Sequence, residues 1–223
     1  MTDTLTGHDV EEGELPEGWE SRPLSAVCKK VVKVDPREFD RERFQYVDIG
    51  SIDTERNRVS IAQDVPVTEA PGRARQLLES GDTVFSTVRP YLRKIAWIHE
   101  DLDGEIASTG FCVLRPDVSL CLPRFLHFIA ISDCLLAQVL PLQRGVSYPA
   151  VRDKEVLAAD VPIPPLPEQE RIVEILEEQL ARLDASLAVA DAVEEHSAAL
   201  RRSLLHSAFT GRLTRVWREA VDV

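Results

Sequence analysis

Residues 161–173 read Val161-Pro162-Ile163-Pro164-Pro165-Leu166-Pro167-Glu168-Gln169-Glu170-Arg171-Ile172-Val173, and the change halfway through sets the architecture. Four prolines in the seven residues 161–167 fix φ and remove amide donors, so this part reads as an extended, stiff Pro-rich hinge. From Glu168 to Ser207 there is neither Gly nor Pro. Val173, Leu176, Leu180, Leu183, Leu187 and Ala190 recur at spacings of 3 and 4, the pattern of a heptad seam. Strict continuation would put Glu194 in the seam. A restart at Ala190 instead gives Val193, Ser197, Leu200 and Leu204, and two successive threes resemble a stammer, where a coil is overwound. The spacing predicts a helix over 168–207, a rod of about 60 Å. That is longer than one small domain can cover, so the rod reads as a dimerisation and spacer helix. Gly211 ends the apolar segment around Phe209 and opens a C-terminal segment, 208–223.

Upstream of the hinge the pattern is shorter. Residues 1–14 are polar, acidic and aperiodic, and read as a disordered tail. Residues 15–160 read as one mixed α/β domain, making the fold class α+β. Phe44–Ile49, Thr83–Val88, Ile95–Ile98 and Phe111–Leu114 have strand length and β-prone composition, punctuated by Gly81, Gly104, Gly110 and Pro116. Over 122–140, Phe125, Phe128, Ile129, Ser132, Leu136 and Val139 mark one buried helical face, opened by Pro123. A loop, 143–149, and a short helix within 150–157 lead to the hinge.

The net charge of −12 on 223 residues argues at first against a nucleic-acid partner, but its distribution weakens the objection. Residues 1–20 carry seven acids and no Lys or Arg, and residues 168–223 carry eleven acids and seven bases; residues 22–160 carry twenty acids and nineteen bases, leaving room for a basic face. No apolar run approaches a membrane span of roughly 18–20 residues, and no basic-then-apolar leader opens the chain, so a cytoplasmic location is expected. Cys28, Cys112, Cys121 and Cys134 form no Cys-x-x-Cys pair and have no histidine at zinc-ligand spacing, so no metal site is expected.

A base-reading surface needs forked or amide side chains on loops. Arg89-Pro90-Tyr91-Leu92-Arg93-Lys94 clusters cations around an aromatic, and Arg73 and Arg75 follow the turn Pro71-Gly72. Arg144 precedes Gly145, where backbone amides can meet phosphate, with Ser147, Tyr148 and Lys154 close behind. Each of these has a competing reading as a solvated or paired surface charge. Asp82, Glu79 and Lys94 could be recruited as a metal nuclease set, but their spacing is unspecific. There is no phosphate loop, nucleotide-binding glycine fingerprint or Asn-Pro-Pro-aromatic element.

Several segments together resemble half of a type I restriction–modification specificity subunit, over roughly 15–215. They are Leu15-Pro16-Glu17-Gly18-Trp19-Glu20, Ala74–Leu77, Gly81–Tyr91, Ala107-Ser108-Thr109-Gly110-Phe111, Gly145–Val151, Ile163–Val173 and Ser207–Leu213. The most specific is Pro-Pro-Leu-x-Glu-Gln-x-Arg-Ile-Val at the opening of the long helix. The resemblance implies a DNA target-recognition domain over 15–160 and weights Arg89, Arg144 and Tyr148 among the contact candidates. It implies a non-catalytic subunit that places an adenine-N6 methyltransferase, and in restriction complexes an ATP-dependent translocase, on a split site. S-adenosylmethionine would be held by the modification partner and no cofactor by this chain. Family members usually carry two recognition domains and two long helices; this chain has one of each, so a homodimer is expected. The competing reading is an acidic interaction or inhibitor protein that mimics DNA or regulates a restriction complex.

Overall fold

The computed structural model describes residues 15–145 and 147–221, which divide into two compact units between Val173 and Glu174. The expected tail, 1–14, lies outside the described residues. The first unit runs β1 (Glu20–Pro23), α1 (Leu24–Val27), β2 (Cys28–Lys29), β3 (Arg43–Val47), β4 (Ile52–Asp53), β5 (Arg58–Val59), β6 (Gln63–Pro66), β7 (Ala74–Leu77), β8 (Thr83–Ser86), β9 (Ile95–Trp97), β10 (Ile106–Ser108) and β11 (Phe111–Pro116). It continues with α2 (Pro123–Ile131), α3 (Asp133–Val139), α4 (Asp153–Val156) and β12 (Asp160–Ile163). Helix α5 (Leu166–Phe209) leads into the second unit, which ends with α6 (Arg215–Val221). The fold is α+β, with mixed sheets and one long helix.

The strands form a six-stranded sheet, β2-β11-β8-β9-β5-β4, a four-stranded sheet, β6-β3-β10-β7, and the pair β1-β12. The central strands β8 and β11 are buried on both faces, which is why Phe111–Leu114 is a continuous apolar run and not an alternating one. Phe85, Ile95, Cys112 and Leu114 face a core shared with Phe125, Leu126, Leu135 and Leu136 of α2 and α3. Val84, Ala96, Phe111 and Val113 face the opposite way, against Val47, Leu78, Ile98 and Ala107.

The turn Ser108-Thr109-Gly110-Phe111 carries the chain from the four-stranded to the six-stranded sheet. Buried Gln76 donates from Nε2 to the Ser108 and Phe111 carbonyls at 2.8 and 2.7 Å. The Thr87 amide and hydroxyl both donate to the Gly110 carbonyl at 2.9 Å. A Cβ at Gly110 would stand 2.9 Å from Ile49 Cδ1, so a side chain there would require the end of Ile49 to shift.

Two expectations change. The helix expected over 122–140 is two helices, because Ser132 is extended (ψ 156°), with its amide and hydroxyl both donating to the Ile129 carbonyl. Both halves still bury apolar residues in one core. The Pro-rich hinge expected over 161–167 is not a free connector. Val161–Ile163 pair antiparallel with β1, and α5 opens at Leu166. A two-stranded ribbon can accept proline on its unpaired side, and the first helical turn accepts it because its amides lack helical partners anyway.

Candidate nucleic-acid interface

After strand β8 the backbone leaves extended geometry at Arg89. A following proline favours extended backbone, yet Arg89 adopts the left-handed region (φ 49°, ψ 57°). This turns its amide onto the Pro149 carbonyl at 2.7 Å. Val88 bridges to Ala150, and Arg144 and Ala150 exchange both backbone hydrogen bonds at 2.9 Å, closing the loop between them. Gly145 has φ 96°, and a Cβ there would press to 3.1 Å from the Tyr148 carbonyl oxygen.

The Arg89 side chain completes the join. Its Nη2 donates to the Ser147 carbonyl at 3.1 Å, and its guanidinium carbon lies 4.7 Å from the centre of the Tyr148 ring. The ring itself is 70% exposed. Arg89, Ser147 and Tyr148, far apart in sequence, thus form one platform: a cation under an outward-facing aromatic on a loop. Beside it, Arg144 Nη2 pairs with Glu155 Oε1 at 2.9 Å. The Glu155 carboxyl is held below the usual range, first by the Arg152 amide and then by the charges of Arg144, Arg152 and Lys154. Lys154 is exposed, with no ion pair or hydrogen bond from its side chain among the described residues.

The remaining cations divide. Arg93 is also left-handed, and its guanidinium pairs with Asp133. Lys94 Nζ donates to the Ile52 carbonyl at 2.6 Å, which ties it to the six-stranded sheet. Arg75 lies on β7 and pairs with Asp35 at 2.8 Å. Arg73 and Tyr91 are exposed. The structure therefore gathers Arg89, Arg144, Ser147 and Tyr148 with Lys154 nearby, and gives Arg75, Arg93 and Lys94 structural partners.

The nuclease reading of Asp82 and Glu79 gives way to an ion-pair network. Arg115 forks onto Asp82 (Nε–Oδ1 2.9 Å, Nη2–Oδ2 2.7 Å), reaches Glu79 Oε1 at 2.6 Å and donates to the Leu77 carbonyl. Asp82 and Arg115 are both buried. Burial pushes the Asp82 carboxyl up, against the pull of Arg115. These acids tie Arg115 of β11 to the turn that precedes β8, and Lys94 is engaged elsewhere. Sequence reasoning missed Arg115, which sits in a strand-like run with nothing local to mark its partners. His127 is buried on α2, 3.3 Å from the Thr83 hydroxyl and in edge contact with the Trp97 ring.

On α5 the seam meets its own chain at its opening, where Val173 packs against the core that α2 and α3 share with the six-stranded sheet. Val173 and Leu176 are half-buried, Ala190 is exposed, and Leu180, Leu183 and Leu187 are 42, 54 and 54% exposed.

Residues 16–187 match the family model described as the type I restriction modification DNA specificity domain. Among curated proteins, the HindI specificity subunit of Haemophilus influenzae is 23% identical over 83% of this chain and 40% of its own length. The EcoKI specificity subunit of Escherichia coli is 26% identical over 92% of this chain and 46% of its own. Among solved structures, the HsdS subunit of Thermoanaerobacter tengcongensis shares 40% identity with a TM-score of 0.72 over 78% of this chain and 45% of that one. A second, from work on complex assembly and conformational transition of the type I R-M system, shares 36% identity with a TM-score of 0.79, over 88% of this chain and 50% of that one. The chain spans about half the length of the relatives it matches. It belongs to the type I restriction modification DNA specificity domain family.

Proposed function

We propose that this chain is a non-catalytic DNA-recognition subunit that directs an adenine-N6 methyltransferase, with or without a restriction translocase, to a bipartite site in the cytoplasm. S-adenosylmethionine is bound by the modification partner. The observation that carries this reading is the platform of Arg89, Ser147 and Tyr148, where a loop is ordered by a guanidinium and presents an exposed ring with cations around it. Base edges and phosphates are met by such groups. Family membership gives no support to the competing DNA-mimic reading.

A split site needs two reading heads, and this chain supplies one. The exposed Leu seam of α5 supports a homodimer in which antiparallel helices carry the heads at opposite ends, so that the half-sites are inverted repeats. The test is methylation mapping. The chain co-purified with its modification partner should methylate adenines in a split palindrome, and neither protein should do so alone. Methyl transfer by this chain without a partner would refute the reading. Replacing Leu180 and Leu183 with Glu should give monomers by light scattering and abolish methylation of the split site, since each buried Leu contributes roughly 1.5–3 kcal/mol.

A further inference from the structure

The platform of Arg89 and Tyr148 is one end of a longer row. The Thr109 amide donates to the Arg73 carbonyl at 2.8 Å, the Thr87 amide to the Gly110 carbonyl at 2.9 Å and the Val151 amide to the Thr87 carbonyl at 2.9 Å. The Arg89 amide donates to the Pro149 carbonyl at 2.7 Å. Four chain segments, around Arg73, Thr109, Thr87 and Ala150, therefore lie side by side. At roughly 4.7–4.9 Å between hydrogen-bonded neighbours the row is about 15 Å wide, comparable with the ~12 Å major groove of DNA.

The row is free of acids. Residues 71–75, 85–91, 107–111 and 147–152 hold Arg73, Arg75, Arg89 and Arg152 and no Asp or Glu, in a chain with 38 acids. Acids follow at Asp153 and Glu155, and Glu155 is paired with Arg144. Arg75 is paired with Asp35. Arg73 is exposed, and its side chain has no ion pair or hydrogen bond among the described residues.

The turn that carries Thr109 is fixed from inside. Gln76 Nε2 holds the Ser108 and Phe111 carbonyls, Thr87 holds the Gly110 carbonyl through its amide and its hydroxyl, and the Gly110 amide donates to Ser108 Oγ at 3.1 Å. Two groups are left over. Among the described residues nothing donates to the Thr109 carbonyl, and the hydroxyl of this exposed residue has no partner. A hydroxyl donor beside a carbonyl acceptor suits the major-groove edge of adenine, where N7 accepts and the N6 amino group donates. Asn and Gln read the same pattern with their amides.

We propose that Thr109 reads the adenine edge of an A·T pair in the half-site, through its hydroxyl and carbonyl, while Arg73 meets a phosphate beside it. The inference rests on the DNA-recognition reading above and deepens it by naming a specificity-determining residue outside the platform.

The test uses the chain assembled with its modification partner. Methylation mapping gives the motif, titration at several salt concentrations gives affinity, and thermal melts report the fold. Thr109→Val keeps the shape and loses the hydroxyl. It should weaken binding to the cognate site about five- to tenfold, leave binding to unrelated DNA unchanged and relax the motif at one A·T position. Thr109→Ser keeps the hydroxyl and should retain motif and affinity. Both should melt with the wild type. Arg73→Ala should weaken binding to cognate and unrelated DNA alike and reduce the salt dependence by about one phosphate contact. A wild-type motif and affinity in Thr109→Val, relaxation at a G·C position, or equal losses in the Val and Ser variants would overturn Thr109 as the reader and leave the recognition subunit standing. A lowered melt in both would make the turn structural and overturn the assignment as well. An unchanged salt dependence in Arg73→Ala would overturn the phosphate contact. A wild-type complex without sequence preference would overturn the recognition reading and this inference with it.

Discussion

The amide of Leu122 donates to the side-chain Oε1 of Gln169 at 2.8 Å, across 47 residues of chain. The Gln169 Nε2 donates in turn to the Leu120 carbonyl at 2.9 Å and the Pro164 carbonyl at 2.8 Å, and the residue is fully buried. One amide side chain thus ties the opening of α5 to the loop that starts α2. This gives the glutamine of the Pro-Pro-Leu-x-Glu-Gln segment a physical reason: its side chain supplies the donor for the Pro164 and Leu120 carbonyls and the acceptor for the Leu122 amide.

Gln169→Leu should therefore destabilise the first unit by about 2–5 kcal/mol, because three buried backbone groups lose their partner at roughly 1–3 kcal/mol each with partial relaxation. Urea unfolding followed by tryptophan fluorescence measures this, and a change under about 1 kcal/mol would contradict it.

The pair of Arg115 and Asp82 predicts a non-additive response. Asp82→Ala strands a buried guanidinium and should cost about 3–5 kcal/mol. Glu79→Ala removes a half-exposed partner and should cost no more than about 1 kcal/mol. Asp82→Ala combined with Arg115→Met should be less destabilising than the sum of the singles. Strict additivity in thermal melts would show that the network carries no coupling.

His127 sets a pH dependence. Burial, then the nearby charge of Arg124 and then that of His99, lowers its pKa from 6.5 to about 4. The unfolded chain therefore takes up a proton that the folded chain refuses. Stability contributed by the neutral ring is present above pH 6.5 and falls as pH drops toward 4. The loss at the acid end approaches roughly 3 kcal/mol. Comparing melts of the wild type and His127→Asn across this window isolates the effect; parallel profiles would exclude it.

At the platform, Arg89→Ala and Tyr148→Ala should each weaken DNA binding by the assembled complex by about 1–3 kcal/mol. Because Arg89 holds the loop that presents Tyr148, the double variant should lose little more than the worse single. Arg144→Ala should weaken binding too. Lys154→Ala should lower affinity across sequences and reduce the salt dependence by about one phosphate contact. Titrations at several salt concentrations read all four. Unchanged affinity in every variant would move the reading surface elsewhere on the domain.

Much of the local structure is legible in the chain because it depends on short-range periodicity. Phe44–Val47, Thr83–Ser86, Ile95–Trp97 and Phe111–Leu114 are strands where β-prone runs stand. The long helix follows from forty residues without a breaker, and it spans Leu166–Phe209. The break at Ser132 was not legible, since the apolar spacing continues through it and the break lies in Ser132's extended backbone, whose amide and hydroxyl both turn back to the Ile129 carbonyl. The cationic turn at Arg73–Arg75 looked like an exposed cluster, yet Arg75 lies in β7 and pairs with Asp35.

The sequence by itself determined the α+β class, the long apolar-seamed helix and the absence of recognisable phosphate-loop or methyltransferase motifs, because each rests on residue type and spacing along the chain. Tertiary structure alone decided which cations stand near one another. Arg89 and Tyr148 are 59 residues apart, and they meet where Arg89 takes the left-handed turn before Pro90 and Ala150 pairs with Val88. The same holds for Arg115 with Asp82 and for Gln169 with Leu122. Charges and amides carry no periodicity that names a distant partner; their meeting is fixed by sheet order and by the need to satisfy what folding buries.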